Sequence, residues 1–156
     1  MKIDSTDKYI LEQLQKDSRI SAKQLAQDLS LTATPIYERI KKMEKAGLIK
    51  DFVAVLDEKM LGLSLTAFCN VQLKEHRQDG LVNFEREILG LTEVVNCWHV
   101  AGVFDYLLLV KIPDMASYQD FIKNKLATIE NIGQVQSSFV MTKVKDSTAL
   151  PLDQFV

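Results

Sequence analysis

The sequence is poor in cysteine and proline, and it has no long hydrophobic run. Its 156 residues include only two cysteines, Cys69 and Cys97, so no disulfide framework is expected and a reducing, cytoplasmic location is predicted. No uninterrupted apolar run is longer than five residues, which is too short for a transmembrane helix, so no membrane association is expected. The first ten residues contain acidic side chains where a signal peptide needs an apolar stretch, so we expect no export.

Familiar catalytic and cofactor-binding motifs are also missing. The sequence has no GxSxG, Walker or GxGxxG pattern, so we predict neither an enzyme nor a bound cofactor. Cys97 and His99 lie two residues apart, and with Cys69 they could bind zinc or with Asp105 take part in catalysis. No compact ligand spacing such as CxxC accompanies them, and a strand cysteine is more often a small buried apolar residue. We therefore predict no metal site and no catalytic residue.

Charge is distributed unevenly along the chain. Residues 1–50 contain ten Lys and Arg against seven Asp and Glu, whereas residues 51–156 contain nine against fourteen. The whole chain has a formal net charge of −2. A basic first part and an acidic second part indicate two domains, the first with a polyanion as its candidate partner.

The first fifty residues have the pattern of three short helices. Asp4 or Ser5 can cap a helix that runs to about Lys16. Ser21 can cap a second helix, and a third one ends at Gly47, where a left-handed residue favours termination. Three short helices with a tight turn before a basic third helix are typical of a helix-turn-helix.

The third helix, started by Thr32 or Thr34, separates apolar and polar side chains. Ile36, Ile40 and Met43 fall on one side and are predicted to face the core. Arg39 lies nearer that side, where it could bind a phosphate or an internal acid. A basic helix in the major groove reaches guanine acceptors and phosphates, although a solvated lysine face is the simpler alternative. The polar side contains Thr34, Glu38, Lys41, Lys42 and Lys45, with Tyr37 on its flank.

The second part of the chain alternates between strand and helix periodicity. Its order, β-α-β-β-α-β, is that of a ferredoxin-like domain, and a β-rich linker over residues 51–63 precedes it. The predicted strands cover residues 64–73, 94–100, 105–112 and 134–145, and the predicted helices cover residues 81–90 and 114–129.

The predicted sheet has apolar side chains on both faces although helices cover only one of them. Phe68 and Trp98 alternate with Cys69 and Cys97, and residues 107–110 are uninterruptedly apolar. A large apolar face in water is unusual for a monomer, so a second copy of the domain is the expected cover.

The residues resemble those of the Lrp/AsnC, or feast/famine, transcriptional regulators. The segment over residues 5–52 contains the Asp-Lys-x-Ile-Leu opening, Arg-Ile-Ser, Leu-Ala, the helix arginine and Gly-x-Ile in the family's order. Further on, VAGVFDYLLLV resembles the family's glycine-x-x-aspartate-aromatic turn, and KVKDSTALPL its closing strand and tail. The resemblance covers nearly the whole chain.

The resemblance implies an α+β fold with a winged or plain helix-turn-helix over residues 1–50 and a ferredoxin-like effector domain over residues 64–156. It also implies a homodimer that assembles further to an octamer, and regulation of DNA binding by an amino acid or related metabolite. The implied contacts with double-stranded DNA are Thr32, Thr34, Tyr37, Glu38, Arg39 and Lys42, to which the helical pattern adds Lys41 and Lys45.

The same resemblance implies an effector turn that consists of Ala101, Gly102, Val103, Phe104, Asp105 and Tyr106. Asp105 could pair with an α-ammonium group or could instead accept bonds from neighbouring amides. Ser137 and Ser138 could add hydroxyl contacts or serve the sheet or an interface. Ala101 and Val103 replace residues that are often polar in the family, which predicts an apolar effector side chain or a weak response.

Two alternative functions remain open at this point. The chain could be an architectural protein that binds DNA without any effector. It could also be a metabolite-binding ferredoxin-like protein whose first domain docks to another protein rather than to DNA. Phosphate contacts would make affinity fall steeply with salt, which separates the DNA-binding alternatives from the third one.

Overall fold

The computed structural model describes residues 2–155, which divide into two compact units. One unit contains residues 2–55 and 145–155, and the other runs from Leu56 to Val144. This division differs from the predicted one, in which residues 64–156 formed a single domain. Contacts of the final residues with the first helix account for the difference. None of the helices in the described part is both long and apolar enough to cross a bilayer.

The first unit contains three helices at the predicted places: α1 at Ser5–Lys16, α2 at Ala22–Asp28 and α3 at Ala33–Lys45. Asp4 and Asp7 form a reciprocal capping box at the start of α1, and Ser21 and Gln24 form one at α2. Gly47 follows Ala46, the C-cap residue of α3, and has φ +74°, in the left-handed region that helix ends favour. Local signals therefore predicted these helices correctly.

The helices enclose a small apolar core of their own. Ile36 and Met43 on α3 are fully buried, while Ile40 is partly buried beside them. The predicted inward face of α3 is therefore confirmed, and its opposite face points to solvent. The other buried members of this core are Ile10, Leu11, Leu25 and Ala26.

The linker over residues 51–63, predicted as β-rich, forms no strand in the described structure, and residues 58–62 form a turn. Residues 51–57 are all exposed, and none of them pairs with another backbone segment in a ladder. An extended apolar sequence forms a strand only where a partner strand offers its hydrogen-bonding groups.

The second unit is a four-stranded antiparallel sheet in the order β2-β3-β1-β4. The observed sequence of elements confirms the predicted β-α-β-β-α-β order. The elements are β1 at Leu65–Leu73, α4 at Gln78–Leu89, β2 at Val94–His99, β3 at Tyr106–Ile112, α5 at Met115–Asn124 and β4 at Ile132–Phe139.

Two of these elements are shorter than predicted. Helix α5 ends at Asn124, and a single 3₁₀ turn follows over Leu126–Thr128. Leu126 in this turn is buried, so the helical spacing of apolar residues in the sequence continues past the end of the helix. Strand β4 ends at Phe139, opposite Ala67, and only one further backbone hydrogen bond to β1 is found beyond it in the described structure, from the N–H of Val140 to the carbonyl of Thr66 at 3.0 Å.

The two faces of the sheet differ in what covers them. One face carries Ala67, Cys69 and Val71 against α4 and α5, and all three are fully buried. Phe68 pairs with Leu109 and Trp98 pairs with Leu107, so these four side chains share the opposite face. Trp98 remains 43% exposed in the single chain. The apolar second face inferred from the sequence is therefore present.

Candidate DNA-binding surface and effector turn

The exposed side of α3 carries most of the predicted DNA contacts. Burial of Ile36 and Met43 fixes the rotation of the helix and turns its polar side outward. Tyr37 is 56% exposed, and the predicted threonines, glutamate and lysines are exposed as well; only Arg39 is half-buried. The exposed residues are Thr32, Thr34, Tyr37, Glu38, Lys41, Lys42 and Lys45.

Lys41 is held in place on this surface by two neighbours. Its Nζ lies 2.8 Å from a carboxylate oxygen of Glu44 and 5.7 Å from the centre of the Tyr37 ring. The hydrogen bond to Glu44 raises the pKa of Lys41 above its ordinary value. A phosphate that approaches Lys41 competes with an existing, solvent-exposed ion pair, which costs little.

Arg39 faces the first helix and binds internal acids. Its Nη1 lies 2.7 Å from Oδ2 of Asp4 and 2.7 Å from Oδ1 of Asp7. The Asp7 side chain is only 10% exposed, so this carboxylate depends on its partners for compensation. Of the two alternatives for Arg39, the geometry favours the internal acid, and the guanidinium joins α3 to the start of α1.

The predicted effector turn connects β2 and β3, and its tip is solvent-exposed. Gly102 has φ +145°, a conformation that side-chain-bearing residues rarely adopt, and Val103 is 78% exposed. The N–H of Val100 donates to the carbonyl of Asp105 at 2.8 Å, and the N–H of Asp105 donates to the carbonyl of Val71 at 2.9 Å. The backbone of the turn is thus closed on itself and attached to β1.

The carboxylate of Asp105 already has two partners within the chain. Oδ2 accepts a hydrogen bond from the backbone N–H of Leu73 at 2.8 Å, and Oδ1 lies 2.8 Å from Nε2 of His76. These contacts tie the turn to the end of β1 and to the segment before α4. Of the two roles predicted for Asp105, the geometry therefore favours bonding to neighbouring groups of the chain over pairing with the α-ammonium group of an effector.

Tyr106 belongs to the core rather than to the surface of the turn. Its ring lies 4.5 Å from that of Phe84, and its hydroxyl donates to Oε1 of Glu85 at 2.8 Å. Burial, followed by this contact with Glu85, raises the pKa of Tyr106. Because strand side chains alternate, Tyr106 points toward α4 while Leu107 points to the open face.

Ser137 and Ser138 point to opposite faces of the sheet. Ser137 pairs with Cys69 on the helix-covered face, where its Oγ accepts a hydrogen bond from the hydroxyl of Tyr118. The same hydroxyl lies 3.1 Å from Sγ of Cys69. Ser138 pairs with Phe68 on the open face. The two hydroxyls therefore do not converge on one ligand within a single chain.

Cys69 and Cys97 lie on the same face but on different strands. Both are level with Leu108 of β3, which stands between them, so they are separated by two strand spacings, or about 10 Å. That distance is too long for a shared zinc ion. Over residues 2–155 no three His, Cys, Asp or Glu side chains are arranged to hold a metal ion.

Sequence reasoning missed two side chains with clear roles. His76 contacts Asp105 from 29 residues away, and Gln15 binds the backbone near the carboxyl end of the chain. No local pattern marks either residue, because each role depends on a partner in a distant element.

Each of the two units matches a known protein domain. Residues 3–50 match a winged helix-turn-helix DNA-binding domain, and residues 66–150 match the Lrp/AsnC ligand-binding domain. The chain belongs to the Lrp/AsnC family. The predicted family and fold class are thereby confirmed, and the chain is a DNA-binding transcriptional regulator and not an enzyme.

Individual Lrp/AsnC proteins resemble the chain along almost its whole length. The DNA-binding transcriptional activator DecR of Escherichia coli is 34% identical over 97% of this chain and 99% of its own. The leucine-responsive regulatory protein of the same species is 34% identical over 95% and 90%, respectively. The solved structure of transcriptional regulator NMB0573 from Neisseria meningitidis in complex with L-Met is 30% identical, with a TM-score of 0.94 over 99% of both chains.

Proposed function

We propose that this regulator binds duplex DNA with the exposed side of α3 and that an apolar amino acid bound by its second unit modulates that binding. The observation that carries the DNA-binding part is the orientation of α3. Its buried residues turn Lys41, Lys42 and Lys45 to solvent together with Tyr37 and the threonines of the first turn. Lysines on such a surface neutralise phosphates, while the neighbouring polar side chains reach base edges in the major groove.

A double variant tests this surface. In Lys41→Ala/Lys42→Ala, loss of two phosphate contacts should lower the slope of log affinity against log salt by about two. The variant should stay folded, because both side chains are exposed. The matched control is Lys59→Ala/Lys123→Ala, which removes the same charge from exposed positions in the other unit. An equal loss in both variants, or none in either, would remove α3 from the DNA-reading role.

The proposal of an amino-acid effector has two supports. The second unit matches a ligand-binding domain, and a similar regulator has been solved in complex with L-Met. Ala101 and Val103 make the exposed turn apolar, which suits an aliphatic or sulfur-containing side chain. We propose that the turn over residues 101–106 contributes to this site, with Asp105 positioning the turn.

Thermal shift with each of the twenty amino acids, with methionine and leucine as the expected hits, tests the effector proposal. A ligand at 100 times its Kd adds about 2.7 kcal/mol to the native state, which corresponds to several degrees in Tm. Val103→Asp should weaken the shift without loss of basal Tm, whereas Val82→Asp on α4 should leave the shift intact, since both side chains are exposed. If none of the twenty amino acids shifts Tm, the effector-independent architectural role becomes the better proposal.

We also propose that two chains dimerise through the open face of the sheet, and that dimers associate further into an octamer as the family resemblance implies. Phe68, Trp98, Leu107 and Leu109 form an apolar cluster there. Burial of such a cluster against a second copy stabilises the pair by about 25 cal/mol for each Å² of apolar surface removed from water.

A further inference from the structure

The carboxyl-terminal residues of the described chain pack against α1 of the helix-turn-helix unit. The Gln15 side-chain amide donates to the carbonyl of Leu150 at 3.2 Å, and its oxygen accepts from the Leu150 N–H at 2.6 Å. Leu152 is half-buried against the apolar core of this unit. Lys8 lies 3.4 Å from the carboxylate of Asp153. The segment thus makes backbone, apolar and ionic contacts within four residues.

These contacts are concentrated on a single side of α1. Lys8 and Gln15 are seven residues apart, or about two turns, so they lie on the same face of the helix. Chain ends are usually poorly ordered unless specific contacts hold them. Leu152 and Asp153 lie beyond both matched domains, which cover residues 3–50 and 66–150.

The start of α1 also contacts α3, the helix that carries the proposed DNA-binding surface. Asp4 and Asp7 at its start bind Arg39 of α3. We propose that residues 150–153 are a strap that forms an integral fourth element of the DNA-binding unit, stabilising α1 and, through Arg39, the position of α3. The strap acts as a positioning element and needs no contact with DNA.

Two matched variants of the full-length protein test the strap. Leu152→Asp places a charge against the core, whereas Leu150→Asp adds the same charge two residues away on a side chain that is 71% exposed. Hydrogen exchange at the amides of Ile10 and Leu11 should become about five-fold faster in Leu152→Asp, as expected for losing roughly half the burial of a leucine. Leu150→Asp should leave these rates unchanged, because Leu150 hydrogen-bonds Gln15 through its backbone and its side chain is exposed.

DNA binding provides the second readout, with a duplex selected from a random library by the wild-type protein. The temperature at which half of the binding is lost should fall by about 5 °C in Leu152→Asp and should not change in Leu150→Asp. Gln15→Met, which keeps side-chain length and removes both hydrogen bonds, should shift exchange and binding in the same direction as Leu152→Asp. Equal behaviour of the two aspartate variants, or unchanged exchange in both Leu152→Asp and Gln15→Met, would overturn the proposal.

Discussion

Replacement of Arg39 by methionine should destabilise the DNA-binding unit selectively. The guanidinium lies 2.7 Å from carboxylate oxygens of both Asp4 and Asp7. Methionine keeps much of the apolar side chain but removes both ion pairs. Asp7, whose side chain is only 10% exposed, then loses its ionic partner and keeps the hydrogen bond from the N–H of Asp4 at 3.3 Å.

The expected loss follows from the burial of this cluster. Breaking a fully buried ion pair costs about 3–5 kcal/mol, whereas an exposed pair is worth about 0–1 kcal/mol. Arg39 is 34% exposed and Asp4 is 52% exposed, so the cluster lies between these limits and we expect about 2 kcal/mol. For a unit of this size, that loss lowers Tm by about 10 °C.

Two spectroscopic signals separate the units. The single tryptophan, Trp98, lies in the second unit, so its fluorescence reports that unit, while far-UV circular dichroism reports the helices of both. Arg39→Met should lower the helical transition and leave the fluorescence transition unchanged. Arg19→Met is the matched control, because Arg19 is 92% exposed and lies 3.6 Å from its partner Asp17.

A double-mutant cycle decides whether the pair itself is responsible. Asp7→Asn removes the charge that Arg39 compensates, so the combined variant should cost at least 1 kcal/mol less than the sum of the two single variants. Additive losses, or a Tm for Arg39→Met equal to that of Arg19→Met, would refute the assignment of Arg39 to α1.

Three further outcomes are expected. The hydrogen bond from the N–H of Asp7, followed by the contact with Arg39, lowers the pKa of Asp4 below its usual value near 3.8, so the ionised carboxylate stabilises the fold above pH 3.8. In an acid titration this stabilisation should be lost as pH falls through the lowered pKa. An acid-unfolding curve for Asp4→Asn that is unchanged from the wild type would contradict this. Leu107→Glu should give a monomer in light scattering while the 87%-exposed Leu89→Glu stays dimeric, and the proposed interface fails if both remain dimers. Asp105→Ala should lower the stability of the second unit by about 1–3 kcal/mol in Trp98 fluorescence, and an unchanged transition would remove its structural role.

Much of the fold was predictable because its signals are local. The capping residues and apolar spacing of α1, α2 and α3 were sufficient to place all three helices. The alternation of period 2 and period 3.6 gave the correct order of the second unit. Prediction failed where an element depends on a partner strand: residues 51–63 form no strand, and β4 ends at Phe139, near the start of β1, rather than at residue 145.

The candidate site also has a part that the sequence predicted and a part that it did not. The exposed lysine face of α3 follows from the helical wheel alone, because burial of Ile36 and Met43 leaves only one orientation for the helix. The partners of Arg39 and Asp105 cannot be predicted from a helical wheel, because residue spacing does not show which charged side chains come into contact in the folded protein. Arg39 had two possible roles until the packing of α1 against α3 brought two carboxylates to its guanidinium.

The amino-acid sequence by itself determined the helices of the first unit, the order of helices and strands along the second, the basic face of α3 and the family, because each depends on residue type and spacing. Only the tertiary structure decided that Asp105 is engaged by Leu73 and His76, and that Gln15 receives a segment 135 residues away. The physical reason is that a hydrogen bond acts over about 3 Å. The partners of such a bond are therefore determined when distant elements pack together, and local sequence patterns do not predict them.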